Sequence, residues 1–349
     1  MNSRRALLSA VAGIAVAAAG IALAIASASP IKWVSVDLGT HRFGRLSEPG
    51  AIVVRAGPTE VGFKKQGGCG CLDGPQGPML FDVGRNGSVY LLDVLNHRLL
   101  VWGRGRPAHA ARTIELKGLD VRNFAVGRDG TIFLYAVYAE PPPGDNGAEL
   151  WALTPAGNVR WRAHARIGTA LRVGPDGALY TLGALKASWT PLTTAAGRPL
   201  SPAAQRRGSV PFQPLSGGMH LIATQLGAHE AHFALVDRTR KVVRAWRVRS
   251  RSRLLLDQRA LTPAQIGGDL VVELDFARST KLEHQVLRLT ENGVGKRLAL
   301  DAKAVWGDDG AESITALRVG PDGRLYQLRT NPKTGVSIAR YSLQPRKES

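Results

Sequence analysis

Two cysteines are the first residues whose type and spacing could carry chemistry. Cys69 and Cys71 are separated by one glycine in a glycine-rich segment of this 349-residue chain. After export, thiols at this spacing can form a local disulfide, whereas reduced thiols can share a soft metal ion or stay free. A structural zinc ion needs four ligands, and no histidine lies close in the sequence. We expect a disulfide; free thiols and a metal or redox pair are the alternatives.

A second group consists of Asp93, Asn96, His97 and Arg98, which bring a carboxylate, an amide, an imidazole and a guanidinium into one short segment. These groups could bind a ligand or exchange protons. The same residue types also stabilise tight turns, because Asx side chains accept hydrogen bonds from nearby backbone amides. We expect a turn between two strands here, and a binding loop is the alternative.

A third group is formed by four arginines that alternate with other residues, Arg247, Arg249, Arg251 and Arg253. Alternate residues share one face of a strand, so these side chains would form a basic stripe. Outside a membrane such a stripe would attract anionic lipid head groups or acidic polymers rather than nucleic acid. The alternative is a solvated outer strand without a partner.

The common linear motifs of catalysis are absent from the sequence. It contains no His-Glu-x-x-His, no Gly-x-Ser-x-Gly, no phosphate-binding glycine loop and no Cys/His zinc pattern. The eight histidines are scattered, and the repeated aspartates fall in predicted turns rather than in a dense calcium loop. We therefore assign no catalytic, cofactor-binding or metal-ligating residue. Enzyme activity stays open, with a binding function favoured.

The composition is that of a globular protein with a strong positive charge. The chain has 46 Lys and Arg against 27 Asp and Glu, a net charge of +19, and is 44% hydrophobic. These values exclude a fully disordered chain and a polytopic membrane protein. The 40 glycines and 20 prolines, without a long amphipathic run, favour many short strands and turns.

The amino terminus has the features of a targeting segment. Arg4 and Arg5 precede an apolar run that ends in Ala26-Ser27-Ala28, which is the pattern of a secretory signal and also resembles a twin-arginine signal. The run is also long enough to cross about 30 Å of hydrocarbon as an uncleaved anchor. Residues 1–28 are therefore predicted as a signal peptide or a membrane anchor. Either alternative places the remainder outside the cytoplasm, because the two arginines stay inside.

A repeated pattern predicts the fold. Four segments align without gaps, each with an apolar strand, an Asn-Gly or Asp-Gly turn and a second apolar strand: 81–93, 124–135, 171–182 and 317–328. Asn-Gly and Asp-Gly supply the positive φ angles of two-residue hairpin turns. The last interval is about three times the others, so we expect two degenerate copies within it, with candidates at 220–226 and 269–275.

A second series of apolar–turn–apolar stretches lies between these copies, at 98–116, 150–161, 188–200, 233–246 and 286–300. Each unit therefore has four antiparallel strands. After the last copy only one strand follows, at 336–343, so a strand at 51–55 is expected to complete the final unit. Four-stranded units of roughly 40–50 residues indicate a β-propeller. We predict an all-β, six-bladed β-propeller over residues 51–344, closed by this N-terminal strand, with a linker at 29–50 and a tail at 345–349.

The first predicted blade resembles an NHL repeat. The resemblance covers residues 78–102 and rests on Gly87-Ser88-Val89-Tyr90, Asp93 and the triplet Asn96-His97-Arg98. The other blades lack this triplet, and the hairpin at 150–161 is also similar to quinoprotein-type repeats. The resemblance implies a disk with a central channel and binding surfaces on its faces. It does not imply one activity, since relatives include protein- and RNA-binding modules, lyases and lactone hydrolases.

These observations lead to two hypotheses about function. The favoured one is an extracytoplasmic, monomeric ligand- or protein-binding or scaffold module at the cell envelope, either secreted or anchored in the cytoplasmic membrane. Its partner would be a protein or envelope component, including anionic lipid or acidic polymer, and not nucleic acid. The alternative is a metal-dependent hydrolase or lyase with its site at the central channel. The sequence names no cofactor.

Overall fold

The structure is a computed structural model, and strands dominate it. It describes residues 31–64, 77–104, 112–116, 118–137, 148–164, 170–182, 188–210, 212–256, 264–266, 268–278, 281–301, 305 and 316–344. The strands form six sheets arranged as a six-bladed β-propeller, as the repeats predicted. The α-helix of the described part, α1 (Pro202–Gly208), follows the third sheet.

Two strands precede the first blade in the sequence and join blades that form much later in the chain. They are β1 (Trp33–Asp37) and β2 (Ala51–Ala56). The first three blades then follow in order. Blade 1 consists of β3 (Leu80–Val83), β4 (Val89–Asp93), β5 (Arg98–Trp102) and β6 (Arg112–Glu115). Blade 2 consists of β7 (Asp120–Val126), β8 (Ile132–Val137), β9 (Ala148–Leu153) and β10 (Val159–His164). Blade 3 consists of β11 (Ala170–Val173), β12 (Leu179–Leu182) and β13 (Trp189–Pro191).

The last three blades complete the ring. Blade 4 consists of β14 (Gln213–Pro214), β15 (His220–Gln225), β16 (Glu230–Val236) and β17 (Val242–Arg249), with β1 at its edge. Blade 5 consists of β18 (Leu254–Leu255), β19 (Ala264–Ile266), β20 (Asp269–Arg278), β21 (Lys281–Thr290) and β22 (Gly293–Asp301). Blade 6 begins with β23 (Leu317–Val319), β24 (Leu325–Asn331) and β25 (Gly335–Tyr341). Within each blade, strands that are adjacent in sequence pair antiparallel. This meander is the expected blade topology.

The expected closure by an N-terminal strand is confirmed. β2 pairs antiparallel with β25, from Ala51 opposite Arg340 to Ala56 opposite Val336. The sixth blade therefore consists of β23, β24, β25 and β2. One sheet holds both ends of the ring together, so the chain cannot open at this blade without breaking a strand pair.

The segment expected to be a linker contributes a further strand. β1 pairs in parallel with β17 at the outer edge of blade 4, where Trp33 lies opposite Ala245. The buried Val36 and the half-buried Val34 pack against the core shared by blades 4 and 5, which explains why this segment is ordered against the ring. The chain then crosses blade 5, where the Ser47 amide donates to the carbonyl of Ala299 at 2.8 Å.

The two degenerate copies are present, but their inner strands are short. Residues 220–225 form β15 and residues 269–275 lie in β20, which are the second strands of blades 4 and 5. The first strand of blade 4 is the two-residue β14. In blade 5 two short strands, β18 and β19, both pair with β20 in place of one first strand. In β14 the second residue is Pro214, which has no amide to donate to a ladder.

Blade 3 is reduced at its outer edge. Its sheet contains β11, β12 and β13. The position of the fourth strand is held by an isolated bridge between Trp189 and Val210, and the stretch at 188–200 adds a bridge between Thr193 and Pro199. Prolines at 191 and 199 limit strand pairing here, because proline lacks the amide that a ladder needs.

The aspartates of the repeated turns form hydrogen bonds within those turns, as the sequence predicted. The Oδ1 atoms of Asp129, Asp176 and Asp322 accept hydrogen bonds from backbone amides two residues further on, at 3.0, 3.1 and 3.1 Å. These bonds are the Asx contacts that stabilise hairpin turns. The repeated aspartates are therefore explained by local backbone geometry.

The hydrophobic core lies between neighbouring blades. Blades 4 and 5 share a cluster that includes Phe233, Trp246 and Phe276. Blades 6 and 1 share another around Ile338 and Phe81, and similar clusters lie between blades 1 and 2, 2 and 3, and 5 and 6. Because each strand presents alternate residues to its two sides, these clusters join neighbouring blades at five of the six interfaces in the described part of the ring.

Candidate functional site

The cluster that contains Asp93 forms a buried turn. Asp93 is fully buried, and its Oδ1 accepts a hydrogen bond from the Gly62 amide at 2.9 Å. Its Oδ2 accepts from Asn96 Nδ2 at 2.8 Å and from Arg98 Nε at 3.0 Å. His97 adopts a left-handed conformation with φ 48° at the end of the turn. These four residues hold the β4–β5 connection and tie it to the segment after β2.

Replacing Asp93 by alanine should lower the free energy of unfolding by about 1–3 kcal/mol, because buried donors lose their acceptor. Arg98 keeps a second acceptor, the carbonyl of Glu60 at 2.6 Å, which limits the loss. The control is Asp120→Ala, since Asp120 is partly exposed and its side chain pairs with the exposed Arg122 at the surface. Urea denaturation compares the two variants. Equal losses would contradict the special role of the buried Asp93.

The four arginines of the predicted stripe do not all lie on one strand. β17 ends at Arg249, so Arg251 and Arg253 follow it as exposed residues of the next connection. Arg249 Nε lies 2.7 Å from Glu230 Oε2. Arg247 Nε lies 3.5 Å from Glu230 Oε1, and its guanidinium lies 5.6 Å from the ring centroid of Trp33. The two arginines of the strand are therefore partly neutralised by one carboxylate.

Two further predictions concern parts of the chain outside the described residues. Cys69 and Cys71 fall in one such part, and the targeting segment 1–28 falls in another. Among the residues that the structure describes, none of the helices has the length and hydropathy needed to cross a membrane.

A cavity of about 740 Å³ occupies the central channel. Residues from the innermost strands of all six blades line it: Asp82, Val126, Arg172, Gln213, Ile266 and Arg318. The hairpin turns that follow β3, β7, β11 and β23, each between the first and second strands of its blade, surround its mouth. The cavity is therefore the channel end at which the repeated Asx turns meet.

Arg318 and Asp82 form the best-defined pair in the channel. Arg318 is buried, and its Nε lies 3.4 Å from Asp82 Oδ1. The other carboxylate oxygen of Asp82 accepts a hydrogen bond from the Val126 amide at 2.8 Å, which joins blade 1 to blade 2. Burial lowers the pKa of Arg318, and the Asp82 carboxylate partly offsets that effect.

Arg172 is the second cation of the channel wall and is half-buried. Its guanidinium lies 5.8 Å from the ring centroid of Trp189, and among the described residues it makes no hydrogen bond or ion pair. Burial and the positive charge of Arg318 lower the pKa of Arg172, although Glu273 and Asp82 oppose the shift. A guanidinium stays protonated in proteins, so Arg172 keeps its positive charge near that of Arg318.

The mouth of the cavity is also positive. Its lining contains four arginines, with the exposed Arg85 and Arg128 at the hairpin turns, against two aspartates. One of the aspartates, Asp322, accepts a hydrogen bond from the Tyr326 hydroxyl at 2.9 Å. Focusing of this charge by the walls of the cleft should attract anions to the channel.

A separate polar cluster lies in blade 5 on the side that faces blade 6. Glu273 and Asp275 are buried on the same face of β20, and His284 of β21 lies directly opposite Asp275. His284 Nδ1 is 2.6 Å from Asp275 Oδ1 and 3.0 Å from Glu273 Oε1. Burial opposes a charge on His284, but the two carboxylates outweigh it and raise its pKa well above the ordinary value.

The sequence analysis identified neither the charged residues of the channel nor the blade 5 cluster, although the repeat pattern contains the channel residues. Asp82, Arg172 and Arg318 are each the second residue of an aligned repeat. Equivalent positions of a propeller repeat lie at the same level of the channel, so the alignment predicts that these side chains lie near one another. The blade 5 cluster had a weaker signal. Glu273 and Asp275 lie within a degenerate copy, and His284 was one of several scattered histidines.

Comparisons with known proteins do not identify a family. No family model matches the chain. No curated protein matches it either.

Several solved structures are similar at low identity. The Kuenenia stuttgartiensis hydrazine synthase is 15% identical with a TM-score of 0.43, over 75% of this chain and 76% of that one. A PQQ-bound aldose sugar dehydrogenase from Streptomyces coelicolor is 11% identical with a TM-score of 0.42, over 84% and 96% of the two chains. Virginiamycin B lyase from Staphylococcus aureus is 13% identical with a TM-score of 0.38, over 76% and 94%. Similarity at this level assigns no activity, and the six-bladed fold of this chain rests on its own strand pairing.

Proposed function

We propose that this protein is an extracytoplasmic binding module that takes a small organic anion into the central channel. The observation that carries the proposal is the Arg172 guanidinium, which lies beside the buried Arg318 and has no ion pair among the described residues. A half-buried cation beside a buried one is unfavourable unless a counter-charge is present. A bound anion would supply that charge.

The geometry of arginine favours particular anionic groups. A guanidinium presents donors in a planar fork that matches the oxygens of a carboxylate or a phosphate. Asp82 holds Arg318 in place and leaves Arg172 as the group that would contact the ligand. The recognised group is therefore a carboxylate or a phosphate, bound chiefly through Arg172.

The size and walls of the cavity favour an organic ligand over a bare ion. A volume of about 740 Å³ falls within the range typical of small-molecule sites. Trp189, Tyr180 and Ile266 provide aromatic and aliphatic surface beside the arginines. A ligand with an apolar or aromatic body and one anionic group would use both parts of this lining.

The location outside the cytoplasm is part of the proposal and rests on the predicted targeting segment. The NHL-like pattern of the first blade supports the same kind of function, because such propellers often serve as binding modules. Full-length protein produced in a bacterial host should be degraded when protease is added to intact spheroplasts. Protection equal to that of a cytoplasmic control protein would contradict this location.

A second candidate function is a metal-dependent hydrolase or lyase. The observation that favours it is the group of two carboxylates and one imidazole in blade 5. All three residues belong to one blade, however, whereas arginines and apolar side chains dominate the lining of the channel. The binding function therefore agrees better with the geometry of the cavity.

The binding function is tested with phenyl phosphate and benzoate as anionic probes and benzylamine as a cation of similar size. Selective binding to the folded state should raise the melting temperature by a few degrees at about 10 mM anion if the Kd is near 1 mM. Benzylamine should have no such effect. Isothermal calorimetry then gives the affinity of each anion.

The matched variants are Arg172→Gln and Arg251→Gln, because both remove one arginine but Arg251 is exposed outside the channel. Arg172→Gln should weaken anion binding at least tenfold, as expected for the loss of a charge-assisted contact. Arg251→Gln should leave it unchanged. Failure of both anions to bind, or equal binding by the two variants, would overturn the proposal.

A further inference from the structure

We propose that Glu273, Asp275 and His284 form a binding site for one divalent first-row transition metal ion, with zinc as the best probe. The site lies in blade 5, and it does not depend on the anion proposed for the channel. It would give the protein a metal centre between blades 5 and 6 that its linear motifs do not indicate.

The strand geometry brings the three donor atoms together. Glu273 and Asp275 are two residues apart on β20, so their side chains leave the same face of the sheet. His284 is the cross-strand partner of Asp275 in β21. One ligand atom from each residue lies within 4.8 Å of the others, and all three side chains are buried or nearly so.

The donor atoms lie slightly closer together than the ligands of a bound metal ion would. Zinc lies about 2.0–2.2 Å from nitrogen and oxygen ligands, so neighbouring ligands in a tetrahedron are about 3.3–3.5 Å apart. The imidazole nitrogen lies 2.6 Å from one carboxylate oxygen and 3.0 Å from the other. If the imidazole nitrogen and each carboxylate oxygen moved apart by less than one ångström, the three atoms could bind one metal ion. Its fourth coordination position would remain open.

The ratio of carboxylates to imidazoles distinguishes this cluster from the other histidine contacts in the described residues. His41 contacts Glu283 at 2.8 Å and His232 contacts Glu230 at 2.6 Å, each with a single carboxylate. His284 directs one nitrogen at two carboxylates. A cation that replaces the shared proton would therefore find three donor atoms already gathered.

The donor set also limits the class of metal. Imidazole suits zinc, nickel and iron, and carboxylate oxygens suit manganese and other harder ions. A site with two oxygens and one nitrogen therefore favours a borderline divalent ion over calcium or magnesium, which prefer sites made only of oxygen ligands. Zinc is the appropriate probe because it accepts both imidazole and carboxylate ligands without a fixed geometric preference.

The experiment uses the full folded chain without a histidine tag and with both Cys69 and Cys71 replaced by serine. This background removes the thiols, which would otherwise bind zinc themselves. Competition with a chromophoric chelator measures the number of zinc ions bound and their affinity. We expect one zinc ion per chain, and a rise in melting temperature that depends on zinc concentration.

The variants Glu273→Gln, Asp275→Asn and His284→Gln should each weaken zinc binding at least tenfold. The matched control is His232→Gln, which removes a buried histidine that pairs with one carboxylate, and it should retain the affinity of the parent. Circular dichroism confirms that each variant is folded. If the His284 variant does not fold, the more conservative Asp275→Asn and Glu273→Gln variants carry the test.

A cobalt-substituted sample gives a second readout that needs no variant. Cobalt bound by one imidazole and two carboxylates should produce visible absorption bands that free cobalt in the same buffer does not show. Absence of stoichiometric zinc binding, unchanged affinity in the ligand variants or a cobalt spectrum identical to that of the free ion would each overturn the proposal.

Discussion

Replacing Trp246 by alanine should lower the free energy of unfolding by about 3–5 kcal/mol, the range for large-to-small changes in a packed core. Trp246 is fully buried in β17 and belongs to the cluster between blades 4 and 5. Its Nε1 also donates a hydrogen bond to the carbonyl of Thr290 at 2.7 Å, which links the two blades directly. The variant therefore loses both packing and an inter-blade hydrogen bond.

Two further variants separate these contributions. Trp246→Phe keeps an aromatic ring but removes the donor to Thr290, so we expect a smaller loss of about 1–3 kcal/mol. Val243→Ala changes a side chain on the same strand that is 58% exposed, and it should alter stability by no more than about 0.5 kcal/mol. Urea unfolding followed by circular dichroism measures all three. A loss for Trp246→Ala no larger than that for Val243→Ala would contradict the inter-blade role.

The fold could be predicted because its signals are local. Each Asp-Gly turn specifies a hairpin without reference to the rest of the chain, and the bonds at Asp129 and Asp322 show the local contact that selects these residues. The closing strand β2 followed from counting, since the last unit had one strand too few. Because the same hairpin pattern repeats along the chain, counting its copies predicts the number of blades and therefore the whole fold.

The extra strand of blade 4 had no comparable signal. Trp33 in β1 pairs with Ala245 in β17, a partner more than two hundred residues away, and the pairing is parallel. Neither a turn nor a repeat connects the two segments. The alternation of Val34 and Val36 is too short to separate a strand from an extended connection.

The two candidate sites also differ in how far the sequence predicts them. The channel arginines occupy an aligned position of the repeat, and their meeting at the axis follows from the propeller geometry once the blades are counted. The blade 5 cluster depends on the register that places Asp275 opposite His284, and the inner hairpin turn of that blade has degenerated. A one-residue change of register would move His284 to the other face, so composition alone could not locate this cluster.

Replacing Gly335 by alanine should destabilise the closure of the ring by about 2–4 kcal/mol, the combined effect of an unfavourable backbone angle and a forced contact. Gly335 begins β25 with φ 84°, and a Cβ atom there would lie 2.0 Å from the carbonyl oxygen of Ala56. The same atom would lie 2.7 Å from the backbone of Gly57. Backbone atoms cannot rotate away as a side chain can, so the end of β2 must shift.

The control for this prediction is Gly44→Ala, because Gly44 has almost the same φ, 83°, and no atom lies within 4 Å of the added Cβ. This variant should show only the backbone effect, about 1 kcal/mol. The difference between the two losses in urea unfolding measures the contact between β25 and the end of β2. Hydrogen exchange of the β2 amides should rise in the Gly335 variant alone, because β2 is the strand that must move. Equal losses and equal exchange in both variants would show that the tight approach of Gly335 to Ala56 does not stabilise the closed ring.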